Sequence, residues 1–89
     1  MKASIEISLY PLSSDYKTRI VNFIKRMRSH DDIEVVTNGM SSQLFGEYDV
    51  LMDVIKSELK EELSLHRSMA VIKIGDGLMK AEDIPEELK

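Results

Sequence analysis

The residues that could do chemistry are few, and their spacing argues against catalysis and against metal binding. His30 and His66 lie far apart, with no cysteine in the chain and no His-x-x-x-His repeat. A metal site needs several such donors converging on one point. Both histidines are instead read as surface groups at helix ends, where the helix dipole favours a cation. Ser13 and Ser14 have no histidine placed by the sequence to activate them, so they read as helix caps rather than nucleophiles. The acidic pairs Asp31-Asp32 and Glu61-Glu62 read as solvated charges. Gly75-Asp76-Gly77 is too short and too acidic for a phosphate-cradling loop and reads as a turn. The expectation is a protein that is not an enzyme, with no catalytic residue, no metal and no cofactor.

The whole-chain numbers agree with a binding module. The chain has 89 residues, 43% hydrophobic and 31% charged, which suits one ordinary globular domain. Its net charge of −4 repels phosphate backbones and anionic lipid. Arg19, Lys25, Arg26 and Arg28 share a helix, but His30, Asp31 and Asp32 follow at once, so these cations read as partners of the helix C-terminus. No nucleic-acid or membrane partner is expected. The lack of cysteine fits a reducing compartment. Met1 to Leu12 alternates rather than running apolar, unlike a signal peptide, and no stretch approaches the ~20 apolar residues that span a bilayer. The expected location is cytoplasmic.

Periodicity gives the elements that would position any site. Ala3, Ile5, Ile7 and Leu9 alternate with Ser4, Glu6, Ser8 and Tyr10, the pattern of a half-buried strand that Pro11 ends. Ser13, Ser14 and Asp15 offer caps to a helix whose apolar stripe is Tyr16, Ile20, Phe23, Ile24 and Met27. Ile33 to Thr37 is β-rich. Asn38-Gly39 signals a tight hairpin because both residues tolerate positive φ, and Met40 to Glu47 is the return strand. Its weak alternation leaves the buried face open: Ser42, Leu44 and Gly46 share one side, Ser41, Gln43, Phe45 and Glu47 the other. Asp49 can cap a second helix with the stripe Leu51, Met52, Ile55, Leu59 and Leu63, leaving Lys56, Glu58, Lys60, Glu61 and Glu62 to water. Met69 to Ile74 is the last strand. Residues 1–77 form the domain, and 78–89 form a charged tail with one helical turn after Pro85.

The order strand, helix, strand, strand, helix, strand is the ferredoxin-like βαββαβ plan of the α+β class. Right-handed crossovers put both helices on one face of a four-stranded antiparallel sheet. The other face must be wet, crossed by the tail, or covered by a partner. Met69 and Val71 alternate with Ala70, Ile72 and Ile74, so the last strand is apolar on both sides, which favours self-association by sheet face or edge. Several functions of this fold are disfavoured. The third strand lacks the basic–glycine–aromatic pattern of an RNA-recognition domain. The paired cysteines of a metallochaperone are absent. The first loop, Pro11 to Asp15, has no arginine for the anion of an acylphosphatase.

Ile7-Ser8-Leu9-Tyr10-Pro11-Leu12, then Thr37-Asn38-Gly39-Met40-Ser41-Ser42-Gln43-Leu44-Phe45-Gly46-Glu47-Tyr48-Asp49, and the closing Val71-Ile72-Lys73-Ile74 resemble the ferredoxin-like proteins that bind thiamine or its hydroxymethylpyrimidine part. The resemblance runs from residue 3 to about residue 76 and omits the tail. It implies a non-catalytic small-molecule binder working as a homodimer or homotetramer, with the ligand on the helix-free sheet face near the hairpin and a subunit boundary. An aminopyrimidine offers donors and ring acceptors. Glu6, Ser8, Asn38, Ser41, Ser42, Gln43 and Glu47 can meet these, and Tyr10, Met40 and Phe45 can cover the ring. An acidic site also suits a thiazolium cation.

Plainer roles compete with these. Turn geometry alone explains Asn38 and Gly39. Met40 and Phe45 can be core or interface, Ser41 and Ser42 ordinary strand residues, and Glu47 part of the helix entry. Glu6 is hardest to dismiss, because a charge inside a central strand must be solvated, paired or used. The alternative of another class is a structural or regulatory self-association module with no small ligand.

Overall fold

A computed structural model describes residues 1–89. The strands are β1 (Lys2–Pro11), β2 (Glu34–Thr37), β3 (Ser42–Glu47) and β4 (Ser68–Asp76), and the helices are α1 (Tyr16–Arg28) and α2 (Tyr48–Leu65). All pairings are antiparallel, in the spatial order β2-β3-β1-β4. The chain therefore has the ferredoxin-like α+β fold that its periodicity predicts. No helix is long and apolar enough to cross a membrane.

β1 is the axis of the sheet, pairing with β3 on one side and β4 on the other, with Ile5 opposite both Leu44 and Ile74. Its alternation sends Ala3, Ile5, Ile7 and Leu9 into a core shared with Leu44, Phe23 and Met27 of α1, and Leu51, Val54 and Ile55 of α2. This fixes the face of β3: Ser42 and Leu44 point to the helices, and Gln43 and Phe45 to the open side.

Several boundaries and roles differ from the sequence reading. α2 begins at Tyr48 with Glu47 at the cap position, so Asp49 lies inside the first turn rather than at the cap. The Glu47 carboxylate instead meets the N-terminal amine and the Lys2 ammonium, each at 3.2 Å. These cations hold the Glu47 carboxyl below its usual range, Lys2 foremost. β4 takes in Gly75 and Asp76, which had read as turn, and the chain turns at Gly77, whose φ of 73° suits glycine.

The largest correction concerns the face that α2 turns to α1. Leu63 is exposed, while Glu62 is only 2% exposed. Residues 51, 55, 58 and 62 form one stripe at helical spacing, and its second half is charged because it meets Arg26. Arg26 donates through Nε to Glu58 Oε1 and through Nη2 to Glu62 Oε1, both at 3.1 Å. His30 Nε2 lies 2.7 Å from Glu58 Oε2. Neither glutamate faces water as the sequence suggested, and His30 clasps the second helix rather than standing free. Glu62 Oε2 is buried without a hydrogen-bond partner.

The open face is not bare. After Gly77 the chain crosses it at the β3–β1–β4 end: Ser4 Oγ donates to the Gly77 carbonyl and accepts from the Met79 amide, both at 2.8 Å. Lys80 Nζ sits 5.5 Å from the centre of the Phe45 ring and 2.9 Å from Glu34 Oε1. This crossing buries Ser4 and Phe45 although they face away from the helices.

Two outcomes follow for the interhelical cluster. Arg26→Ala strands the buried Glu62 charge and should lower unfolding free energy by about 3 kcal/mol in urea titrations, whereas Arg26→Met with Glu62→Leu should cost far less. Burial pushes the Glu58 carboxyl upward, but hydrogen bonds from His30 and Arg26 outweigh this and hold it below its ordinary value of 4.5. A folded value below the unfolded one gives stability that is present above pH 4.5 and lost as pH falls through the folded value. Urea midpoints measured down that range should drop, and Glu58→Gln should flatten the drop.

Candidate functional site

The hairpin between β2 and β3 is built by one side chain. Asn38 Oδ1 accepts from the backbone amides of Met40 at 2.8 Å and Ser41 at 3.1 Å, and the Asn38 amide donates to the Ser41 carbonyl at 3.0 Å. Neither Asn38 nor Gly39 adopts positive φ. The turn is thus an asparagine-capped loop of residues 38–41 rather than the tight left-handed hairpin that Asn-Gly predicts. Asparagine serves here through its side-chain oxygen.

This loop stands away from α1 and leaves a cavity of about 350 Å³ between them. Ile7 and Leu9 of β1 form its base, and Ile20, Phe23, Ile24 and Met27 of α1 form its wall. Tyr10, Pro11, Tyr16 and the loop border it. Within it, the Thr37 and Ser42 hydroxyls face one another across the β2–β3 ladder at 2.9 Å. The Asn38 side chain uses only its oxygen in the loop, accepting from Met40 and Ser41, so its amide nitrogen keeps two donor protons. The arrangement can hold a flat, largely apolar molecule with a few polar substituents. The cavity falls in the usual size range of ligand sites.

Of the residues singled out by sequence, Ser8, Tyr10, Asn38, Met40, Ser41 and Ser42 border this cavity. Ser8 Oγ donates to the Met40 carbonyl at 3.4 Å, tying β1 to the loop. Glu6 and Gln43 lie beside it on the open face. Ser41 Oγ links the two regions: it donates to Glu6 Oε2 at 2.9 Å and accepts from Gln43 Nε2 at 3.2 Å. Lys73 Nζ approaches Glu6 Oε1 at 3.6 Å, so the mid-strand carboxylate is paired. Phe45 and Glu47 are not part of this group. Glu47 is opposite Lys2 while Ser42 is opposite Ile7, about 17 Å along the strand at ~3.4 Å per residue.

Sequence reasoning missed the α1 wall. Tyr16, Ile20, Phe23, Ile24 and Met27 read as one core-facing stripe. Phe23 and Met27 are indeed buried, yet the same side chains border an empty volume because the loop fails to close over them. The available signal was the length of the polar stretch Asn38 to Ser41, which is too long for a two-residue turn.

No family model matches the chain, and no curated protein matches it in sequence. Solved structures do. Protein SP2199 from Streptococcus pneumoniae superposes with a TM-score of 0.80 at 28% identity, over 99% of this chain and 98% of that one. A Thermotoga maritima protein provisionally assigned to thiamine biosynthesis or salvage gives 0.76 at 20% identity, over 99% and 94%. A Bacillus cereus domain of unknown function, DUF77, gives 0.75 at 21%, over 94% and 88%. The chain is similar to all three along nearly its full length. They share one small ferredoxin-like architecture.

The loop offers a direct check of its construction. Asn38→Ala removes the acceptor of two backbone amides and should cost about 1 kcal/mol. Hydrogen exchange at Met40 and Ser41 should quicken, while that of β1 amides stays within the global change.

Proposed function

We propose that this protein is a non-catalytic binder of a small planar ring compound, held between α1 and the 38–41 loop, and that it works as a homo-oligomer. The observation that carries the reading is the cavity itself, with aliphatic and aromatic walls and hydroxyl and amide groups at one end. Such a site orients a ring by a few polar contacts while apolar burial supplies most of the affinity. Thiamine-related pyrimidines are the first class to test. The sequence resemblance points to them, and a protein of the same fold carries a provisional thiamine assignment. Ser8, Asn38, Ser41 and Ser42 are the polar contacts of this reading, with Tyr10 and Met40 at the rim and Glu6 and Gln43 behind Ser41. Phe45 and Glu47 are left outside it.

Self-association is supported by β4. It is an edge strand of nine residues with an unpaired outer side, and Met69, Val71, Ile72 and Ile74 are all exposed along it. A long apolar edge of this kind is normally covered. Purely structural self-association, with no small ligand, is the competing reading that the same edge favours.

Calorimetric titration with thiamine and with hydroxymethylpyrimidine separates the two. Heat and a rise in melting temperature with either are expected, and silence from both at millimolar concentration removes the ligand claim. Sedimentation at micromolar protein should give a dimer or tetramer that Ile74→Lys dissociates. A monomer for the unaltered protein removes the assembly claim.

A further inference from the structure

We infer that the cavity under the 38–41 loop selects an uncharged ring against a cationic ring of the same shape. The inference rests on the cavity being the ligand site, and it adds the charge of the ligand. Every side chain bordering the cavity is neutral: aliphatic, aromatic, hydroxyl, thioether or amide. The acidic groups on the neighbouring segments stand outside the lining and are held by partners. The Glu6 carboxylate accepts from Ser41 and faces Lys73, and Asp15 accepts from Arg19 Nε at 2.8 Å.

The backbone adds to this bias. α1 starts at Tyr16, which borders the cavity, and no side chain caps its first amides. The positive pole of the helix therefore lies beside the cavity. A cation entering would lose hydration, find no carboxylate in the lining and approach the positive pole of α1. A neutral ring meets none of these costs. The Thr37–Ser42 hydroxyl pair and the Asn38 amide protons supply donor and acceptor capacity to an exocyclic amine, a ring nitrogen or an alcohol. Of the two halves of thiamine, the aminopyrimidine has the chemistry the cavity accepts, and the thiazolium has the chemistry it refuses. The free pyrimidine alcohol is then a better ligand than a permanently charged ring.

The test uses two matched pairs of single-ring probes at slightly alkaline pH: hydroxymethylpyrimidine with its N-methylated cation, and benzyl alcohol with benzylammonium. Binding is read from the methyl resonances of Ile20, Ile24 and Met27 of the full chain. The neutral member of each pair should bind about tenfold tighter or better. A cationic member that binds as tightly as its neutral partner overturns the inference. If the benzyl pair discriminates and neither pyrimidine binds, the charge selection stands and the pyrimidine reading falls. If no probe moves these methyls up to about 10 mM, both are overturned. Ser8→Asp places a carboxylate at the rim and should swing the preference toward the cation, with amide spectra confirming that the fold is retained. An unchanged preference would show that charge does not set the selectivity, and would overturn the inference.

Discussion

The fold depends on the register of β1. It pairs with β3 over six residues and with β4 over nine, and its four inward residues carry the floor of the core. Because side chains alternate along a strand, sliding β1 by one residue against either neighbour would send Glu6 and Ser8 among the helices and Ile5 and Ile7 to the outside. The two sides of the sheet differ so much in polarity that only one register satisfies both. Ser4 and Tyr10, at opposite ends of the outward row, then find quite different surroundings: Ser4 is sealed by the returning chain, and Tyr10 stands beside the cavity.

On the helical side, apolar burial and ionic pairing divide the work. Near the middle, Phe23, Met27, Leu51 and Ile55 fill the space between helices and sheet. Beyond them, one arginine holds two glutamates, and a histidine holds one of the two. A buried carboxylate is costly unless paired, so Glu62 constrains where Arg26 must sit and thereby the offset between the helices. The ion pair contributes less to net stability than to the uniqueness of helix placement. It also leaves the start of α1, where Tyr16 borders the cavity, free of such ties to α2.

Much of this was legible in the sequence. Strict alternation in Ala3 to Tyr10 and the stripe from Tyr16 to Met27 report burial directly, since each element has one dry side, and they yield the element order and the sheet. The errors arise where burial and polarity part company. Glu58 and Glu62 are charged yet inward, and only knowing that Arg26 lies across the helix pair would have revealed it. Phe45 faces away from the core yet is covered, because a segment more than thirty residues later folds over it. The site was legible by halves. Polar residues from Asn38 to Ser42 marked the loop, but hydrophobic residues lining a cavity and hydrophobic residues filling a core have the same periodicity. The difference lies in how far a loop stands off, which is a tertiary distance.

The strap from Gly77 to Lys80 has a geometric consequence for assembly. The methyl of Met79 lies over Gly75 so closely that even a β-carbon there would meet it at 2.7 Å. The strap therefore raises one end of the open face by the thickness of a peptide chain, while the end carrying Tyr10, Met69 and Val71 remains flat. Two such surfaces stacked face to face cannot lie flush over their whole length. They must slide until the flat ends overlap and each ridge falls beyond the other's border. In any face-to-face pair this strap would act as a spacer that sets the stagger.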